Sequence, residues 1–367
     1  MVAAMTRSAS ADLFVDRSPL ELEFGAVLPE IEIEYETWGR LSPARDNAIL
    51  VCPAFSAHSH ANSGPRDPRP GWWEGMIGPG RAFDDARFFM ICPSLLGGSY
   101  GTTGPKSIDP ATGEAYRGGF PVIGVRDVVN VHVRLLDHLG IDRLYAAAGG
   151  SLGGMETLEL AIRHPRRVER VISISGTFAT RPYTAAIRHI SRRAIMLDSA
   201  FEDGYYEGDG PADGLRLARE MGTLYYRSRE DFNERFPWQP IRPPSRRGIT
   251  FDVQSYLEHQ GSKIIGTFDV NSFLTLSLAM DLHDVFRGFA SREEALSPVD
   301  AKLLIAGVRE DRLIPIDEQE EIHETLAAHG KACTWRPLSS RVGHDAFLAE
   351  IDAMNELLGD FFEGGRK

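Results

Sequence analysis

One five-residue stretch constrains this chain more than any other. Gly149-Gly150-Ser151-Leu152-Gly153 follows directly on the buried run Leu144-Tyr145-Ala146-Ala147-Ala148 and directly precedes a helical stretch that reaches His164. It satisfies G-x-S-x-G, a sharp strand-to-helix turn that holds a serine hydroxyl exposed above the carboxyl edge of a sheet. Glycine neighbours let such a turn close around a strained serine, and the helix N-terminus behind it favours developing negative charge. The five residues alone would also fit an ordinary glycine turn, so the strand before them and the helix after them carry the nucleophile reading.

The rest of the chain supplies the sheet that such a turn needs. Ala48–Cys52 and Phe88–Cys92 are continuous apolar runs ending in Pro53 and Pro93, as expected of central strands in a parallel sheet, whereas Ile31–Tyr35 alternates at period two. Val128, Val129, His132, Leu135, Leu136 and Leu139 recur at helical spacing before Gly140, and a further strand is expected at Val168–Ser173. From about Thr180 to Gly288 the texture changes: Gly and Asp cluster at 203–214, Pro and Arg at 237–247, and helical patterns occupy 213–227 and 272–287. The α/β rhythm resumes with Leu303–Val308, a helix near 316–328, a strand near Cys333–Leu338 and one closing helix from about Ala346 to Phe362. The expectation is an α/β core over 1–179 and 289–367, a mostly parallel sheet flanked by helices, with an inserted helical lid at 180–288. Met1–Ser10 reads as a loose terminus.

Composition excludes several classes of function. Of 367 residues, 43% are hydrophobic and 25% charged, ordinary globular usage rather than disorder. Forty Lys and Arg against 52 Asp and Glu leave a formal charge of −12, which opposes attraction to nucleic acid or anionic lipid and points to small-molecule partners. Three cysteines without C-x-x-C spacing give neither a disulfide framework nor a structural zinc site, so no metal is expected and a reducing cytoplasm is the default. The first fifteen residues lack the apolar stretch of a signal peptide, and no window approaches a membrane span.

A serine hydroxyl needs a base to take its proton and a carboxylate to fix that base's tautomer. In α/β-hydrolases the chain order is serine, acid, histidine. Asp311 follows the buried run Leu303–Val308, at a strand's carboxyl end, with Glu310 and Asp317 as rivals. His344, in Gly343-His344-Asp345-Ala346-Phe347-Leu348, lies in a loop just before the last helix and is the expected base. His259, His283 and His323 sit in helical patterns, while His58, His60 and His132 precede the nucleophile. The oxyanion hole requires two backbone donors, expected from Leu152 and, in the loop after Cys52, from Phe55.

Longer stretches carry a resemblance. They are Tyr35-Glu36-Thr37-Trp38-Gly39, the loop Pro53 to His60, Gly71-Trp72-Trp73-Glu74-Gly75-Met76-Ile77-Gly78-Pro79-Gly80, and Leu96 to Pro105. To these add Gly150 to Met155, Leu217-Ala218-Arg219 with Tyr225-Tyr226-Arg227, Asp269-Val270-Asn271-Ser272, and Gly343 to Phe347. Over nearly its whole length the chain resembles the homoserine O-acetyltransferase family of α/β-hydrolase-fold enzymes, which includes serine O-acetyltransferases and serine O-succinyltransferases. The resemblance implies an acyl-coenzyme A co-substrate (acetyl-CoA or succinyl-CoA), no bound cofactor, a homodimer, and a ping-pong cycle through Ser151. It also implies that Asp345 holds the acceptor's ammonium while Arg219 and Tyr226 hold its carboxylate; otherwise Asp345 reads as a helix cap and Arg219 as a solvated helix face.

The departures bear on the acceptor. Many homoserine enzymes of the family carry an arginine just before the Phe-Asp-Ala-Asn-Ser stretch, where this chain has Gly266-Thr267. Trp72-Trp73 and Arg181-Pro182-Tyr183 also resemble the serine-acylating branch. The expectation is acetyl transfer to L-serine, with homoserine O-acetylation, serine O-succinylation and simple ester hydrolysis as alternatives. One methylene separates serine from homoserine, worth about 1–3 kcal/mol in a pocket.

Overall fold

The computed structural model describes residues 11–243 and 248–364. Among the described residues there are ten strands: β1 (Asp12–Asp16), β2 (Leu20–Glu21), β3 (Val27–Leu28), β4 (Ile31–Gly39), β5 (Ala48–Cys52), β6 (Phe89–Pro93), β7 (Ala146–Gly150), β8 (Arg170–Ile174), β9 (Lys302–Val308) and β10 (Cys333–Leu338). Eight of them form one sheet in the order β1-β4-β6-β5-β7-β8-β9-β10, and β2 and β3 pair separately. β4 runs antiparallel to β1 and β6, and the remaining neighbours are parallel. The expected mostly parallel sheet is therefore present.

The continuous apolar runs follow from helices covering both faces of this sheet. Along β5, Ala48, Leu50 and Cys52 enter one buried cluster while Ile49 and Val51 enter the other. Along β9, Leu303 and Ile305 face the first cluster, and Leu304 and Ala306 the second. Each fully buried Val, Leu or Ile contributes about 1.5–3 kcal/mol relative to exposure. On the first face lie α1 (Val125–His138) and α2 (Leu152–Arg163).

Between β8 and β9 come α3 (Pro182–Met196), α4 (Ala212–Tyr226), α5 (Arg229–Arg235), α6 (Asp252–Ser262), α7 (Val270–Asp281) and α8 (Arg292–Leu296), with no β-strand among the described residues. Helix α3 packs on α4 and α7, and α4 on α6. Ile187, Leu215, Phe273 and Leu276 from these helices join the same buried cluster as the sheet. After α9 (Ile316–Ala328), the closing segment differs from the single helix expected. It is a 3₁₀ turn at Gly343–Asp345, then α10 (Ala346–Ala349) and α11 (Ile351–Phe362), broken at Glu350 with φ −96° and ψ 55°. Met1–Ser10 lies outside the described residues.

Candidate active site

Ser151 stands between β7 and α2 with φ 57° and ψ −118°, a left-handed backbone that a non-glycine residue adopts only when its surroundings impose it. The imposition is visible. Its N–H donates to the Ile174 carbonyl at 2.9 Å, and the neighbouring glycines leave no room for side chains. A Cβ on Gly149 would sit 2.5 Å from the Gly153 carbonyl carbon, one on Gly153 would sit 2.3 Å from the Cys52 oxygen, and one on Gly150 would sit 2.4 Å from the Phe347 ring.

The three residues expected from chain order meet here. His344 Nε2 lies 2.8 Å from Ser151 Oγ, and His344 Nδ1 lies 2.6 Å from Asp311 Oδ2. Asp311 accepts only, so Nδ1–H donates to it and Nε2 is left to accept the serine proton. The other Asp311 oxygen takes the amides of Leu313 at 2.8 Å and Ile314 at 3.0 Å, which fixes the carboxylate. All three side chains are buried. The rival acids are elsewhere: Glu310 binds Ser339 and the Ser340 amide, and Asp317 is exposed in the first turn of α9.

Burial alone would lower the His344 pKa, but the Asp311 charge, its hydrogen bond and the nearby Asp345 together hold it above the ordinary histidine value. Asp345 is raised by burial, against the opposing influence of His344, Arg227 and Arg219.

Ser151 and His344 open on a cavity of about 130 Å³ that Phe55, Arg219, Tyr226 and Asp345 also border. The Tyr226 ring lies 6.1 Å from His344, with the Arg219 guanidinium 5.5 Å from the ring's centre. Leu152 occupies the first position of α2, where a backbone N–H has no acceptor within the helix. Asp345 makes no side-chain cap on α10; its Oδ2 lies 3.6 Å from Arg227 Nε instead. Arg188, a residue that sequence reasoning missed, also borders this cavity.

Two features read as marks of the serine-acylating branch have other contacts. Trp73 Nε1 donates to the Phe347 carbonyl at 2.8 Å, and Trp72 Nε1 to that of His58 at 2.8 Å. Arg181 pairs with Glu321 and borders a separate cavity. One possible metal-ligand group exists among the described residues, Cys52, His132 and Glu156, buried together with ligand atoms within 4.8 Å of one another. Burial pulls the His132 pKa down to about 3 and pushes that of the Glu156 carboxyl well above the ordinary value.

The α/β-hydrolase fold family matches residues 47–333. A homoserine O-acetyltransferase of Symbiobacterium thermophilum is 42% identical over 366 residues, covering 98% of this chain and 96% of its own length. The chain belongs to the homoserine O-acetyltransferase family. Also similar is a serine O-succinyltransferase of Litchfieldella anticariensis, 42% identical over 350 residues, covering 94% of this chain and 95% of its own. Among solved structures, the homoserine O-acetyltransferase from Bacillus anthracis matches with a TM-score of 0.90 at 31% identity, covering 97% of this chain and 98% of that one. Esterase E22 matches with a TM-score of 0.88 at 28% identity, covering 96% and 99%. As a member of the homoserine O-acetyltransferase family, the protein is an O-acyltransferase of amino-acid biosynthesis. Among the described residues no helix is long and apolar enough to cross a membrane.

Proposed function

We propose that the enzyme moves a succinyl group from succinyl-coenzyme A through Ser151 to the hydroxyl of L-serine. The carrying observation is the charge pattern of one cavity: Asp345 and Arg219 border it together with Ser151 and His344, so a zwitterionic amino acid finds a partner for each end beside the nucleophile. The succinyl–serine pair is supported by the Litchfieldella relative and by Gly266-Thr267, where many homoserine enzymes of the family carry an arginine. Homoserine O-acetylation is the second reading, favoured by the equal identity of the Symbiobacterium relative. Acetyl transfer to serine, the pairing that sequence alone favours, joins the donor of one relative to the acceptor of the other and is set aside.

In the first half-reaction His344 takes the Ser151 proton as Oγ attacks the thioester carbonyl. The N–H groups of Phe55 and Leu152 hold the oxyanion; collapse expels the coenzyme A thiolate, which takes the proton from His344. In the second half the acceptor hydroxyl gives its proton to His344 and attacks the acyl ester, and collapse returns the proton to Ser151 as the O-acyl amino acid leaves. The segment 180–288 acts as a lid: it brings Arg219 and Tyr226 to the cavity and shelters the ester from water. A cytoplasmic homodimer completes the reading.

The test pairs acetyl- and succinyl-coenzyme A with serine and homoserine, scoring kcat/KM and identifying products by mass spectrometry. Succinyl with serine should be fastest. Acetyl with homoserine fastest would establish the second reading, and free acid without an ester product would make the protein a hydrolase.

A further inference from the structure

Away from the active-site cavity, one buried polar cluster has no part in acyl transfer. Cys52 ends β5, His132 lies in α1 and Glu156 in α2, and none of the three is more than 1% exposed. Both ring nitrogens of His132 and both carboxylate oxygens of Glu156 are buried without a hydrogen-bond partner. Four such atoms in one place need an explanation, because buried polar side chains are nearly always satisfied. The Cys52 sulfur completes the group, with the ligand atoms of all three residues within 4.8 Å of one another. His132 Nδ1 lies 3.5 Å from Glu156 Oε2, longer than a well-formed hydrogen bond. That spacing fits two atoms bound to one ion, since ligands about 2.1 Å from a tetrahedral centre stand about 3.4 Å apart.

Thiolate, imidazole and carboxylate are the donors that zinc takes. The two unpartnered oxygens of Glu156 can fill two positions, which with Cys52 and His132 makes the four of a closed structural site. The charges also balance: binding releases one proton from the Cys52 thiol and one from the Glu156 carboxyl to solvent, and the resulting unit is neutral, as a dry interior requires. We propose that Cys52, His132 and Glu156 form a structural zinc site that ties the carboxyl end of β5 to α1 and α2. Cysteine spacing gives no hint of it, because the three ligands come from three separate elements. The proposal goes beyond the transferase reading and holds whichever donor and acceptor the enzyme uses. Cys52 stands three residues before Phe55, and Glu156 about one helical turn after Leu152, so the ion would brace both segments that carry the oxyanion donors of the proposed mechanism.

The test is the metal content of the whole enzyme, produced in medium supplemented with zinc chloride, freed of any affinity tag and desalted. Elemental mass spectrometry should find about one zinc per chain in the wild type, and roughly 10-fold less in Cys52→Ala, His132→Gln and Glu156→Gln. Cys333→Ser should keep the metal. Cys333 Sγ lies 3.3 Å from His323 Nδ1, a second place for zinc to attach, so zinc lost in Cys333→Ser and kept in Cys52→Ala would overturn the proposal. Equal zinc in the wild type and all three ligand variants would overturn it too and mark the metal as adventitious. Should the ligand variants fold poorly, the wild type and Cys333→Ser decide the matter after growth with cobalt chloride in place of zinc. Cobalt(II) bound by a thiolate shows a strong sulfur-to-metal absorption band, expected in both proteins. A wild type that carries no zinc, or that lacks this band when loaded with cobalt, refutes the site.

Discussion

His344 lies 2.8 Å from Ser151 through one ring nitrogen and 2.6 Å from Asp311 through the other, so a single imidazole joins residues 160 positions apart in the chain. The three should act as a unit. Ser151→Ala is expected to prevent any acyl adduct on incubation with donor, and Ser151→Ala, His344→Ala and the double variant should lose similar factors in kcat rather than multiplying. Additive losses, or an adduct in Ser151→Ala, would count against the assignment.

Asp311→Asn should keep the fold and slow acylation by roughly four orders of magnitude, because an amide facing Nδ1 presents the wrong tautomer to Ser151. Circular dichroism checks the fold and burst kinetics the rate. A mild effect here with a severe one at Glu310 or Asp317 would move the acid.

Acylation needs His344 neutral. Since the folded protein holds its pKa above the ordinary 6.5, the acylation rate should rise with pH through an inflection above that value and then level off. Asp345 is one of the charges that raise it, so in Asp345→Asn the inflection should move to lower pH. A shift to higher pH, measured under single-turnover conditions, would contradict the electrostatic account.

Arg219→Ala should depress transfer to the amino acid far more than acylation of Ser151, because the donor step does not use the acceptor clamp. Burst acylation and steady-state transfer can be followed on one preparation. Equal loss in both would assign Arg219 to the fold or to the coenzyme A site.

Trp73→Phe removes the donor to the Phe347 carbonyl three residues after His344, leaving a buried acceptor unpaired. A loss of about 1–3 kcal/mol in urea-induced unfolding is expected. No loss would mean that the hydrogen bond is replaced by water.

The hydrogen-bonded trio of Ser151, His344 and Asp311 was legible because each member sits where a linear pattern is informative: a glycine-flanked serine between strand and helix, an aspartate at a strand's end, a histidine before the last helix. The inserted region was less so, for a physical reason. The inward face of α3 presents Thr184, Arg188 and Ser191 beside Ile187 and Ile195, and polar residues on a buried face erase the apolar periodicity by which a helix is recognised. Arg188 and Ser191 border the cavity, so the signal failed where the site has polar residues. β1 escaped notice because it is a five-residue edge strand, Asp12–Asp16, with an acidic residue at each end. The closing helix was read as one because nothing in Glu350 announces a break.

The glycines of the serine turn do not share one kind of neighbour, and this sets how the turn can drift over evolutionary time. Gly149 and Gly153 confront main-chain atoms, which every sequence carries, so no second substitution elsewhere can make room for a methyl group there. Gly150 confronts only the Phe347 ring, a side chain that can itself be exchanged. Positions 149 and 153 should therefore be frozen in descendants of this chain, while 150 is free to change in step with 347. A paired Gly150→Ala, Phe347→Leu variant changes only a variable position of G-x-S-x-G and should leave the backbone of the turn intact.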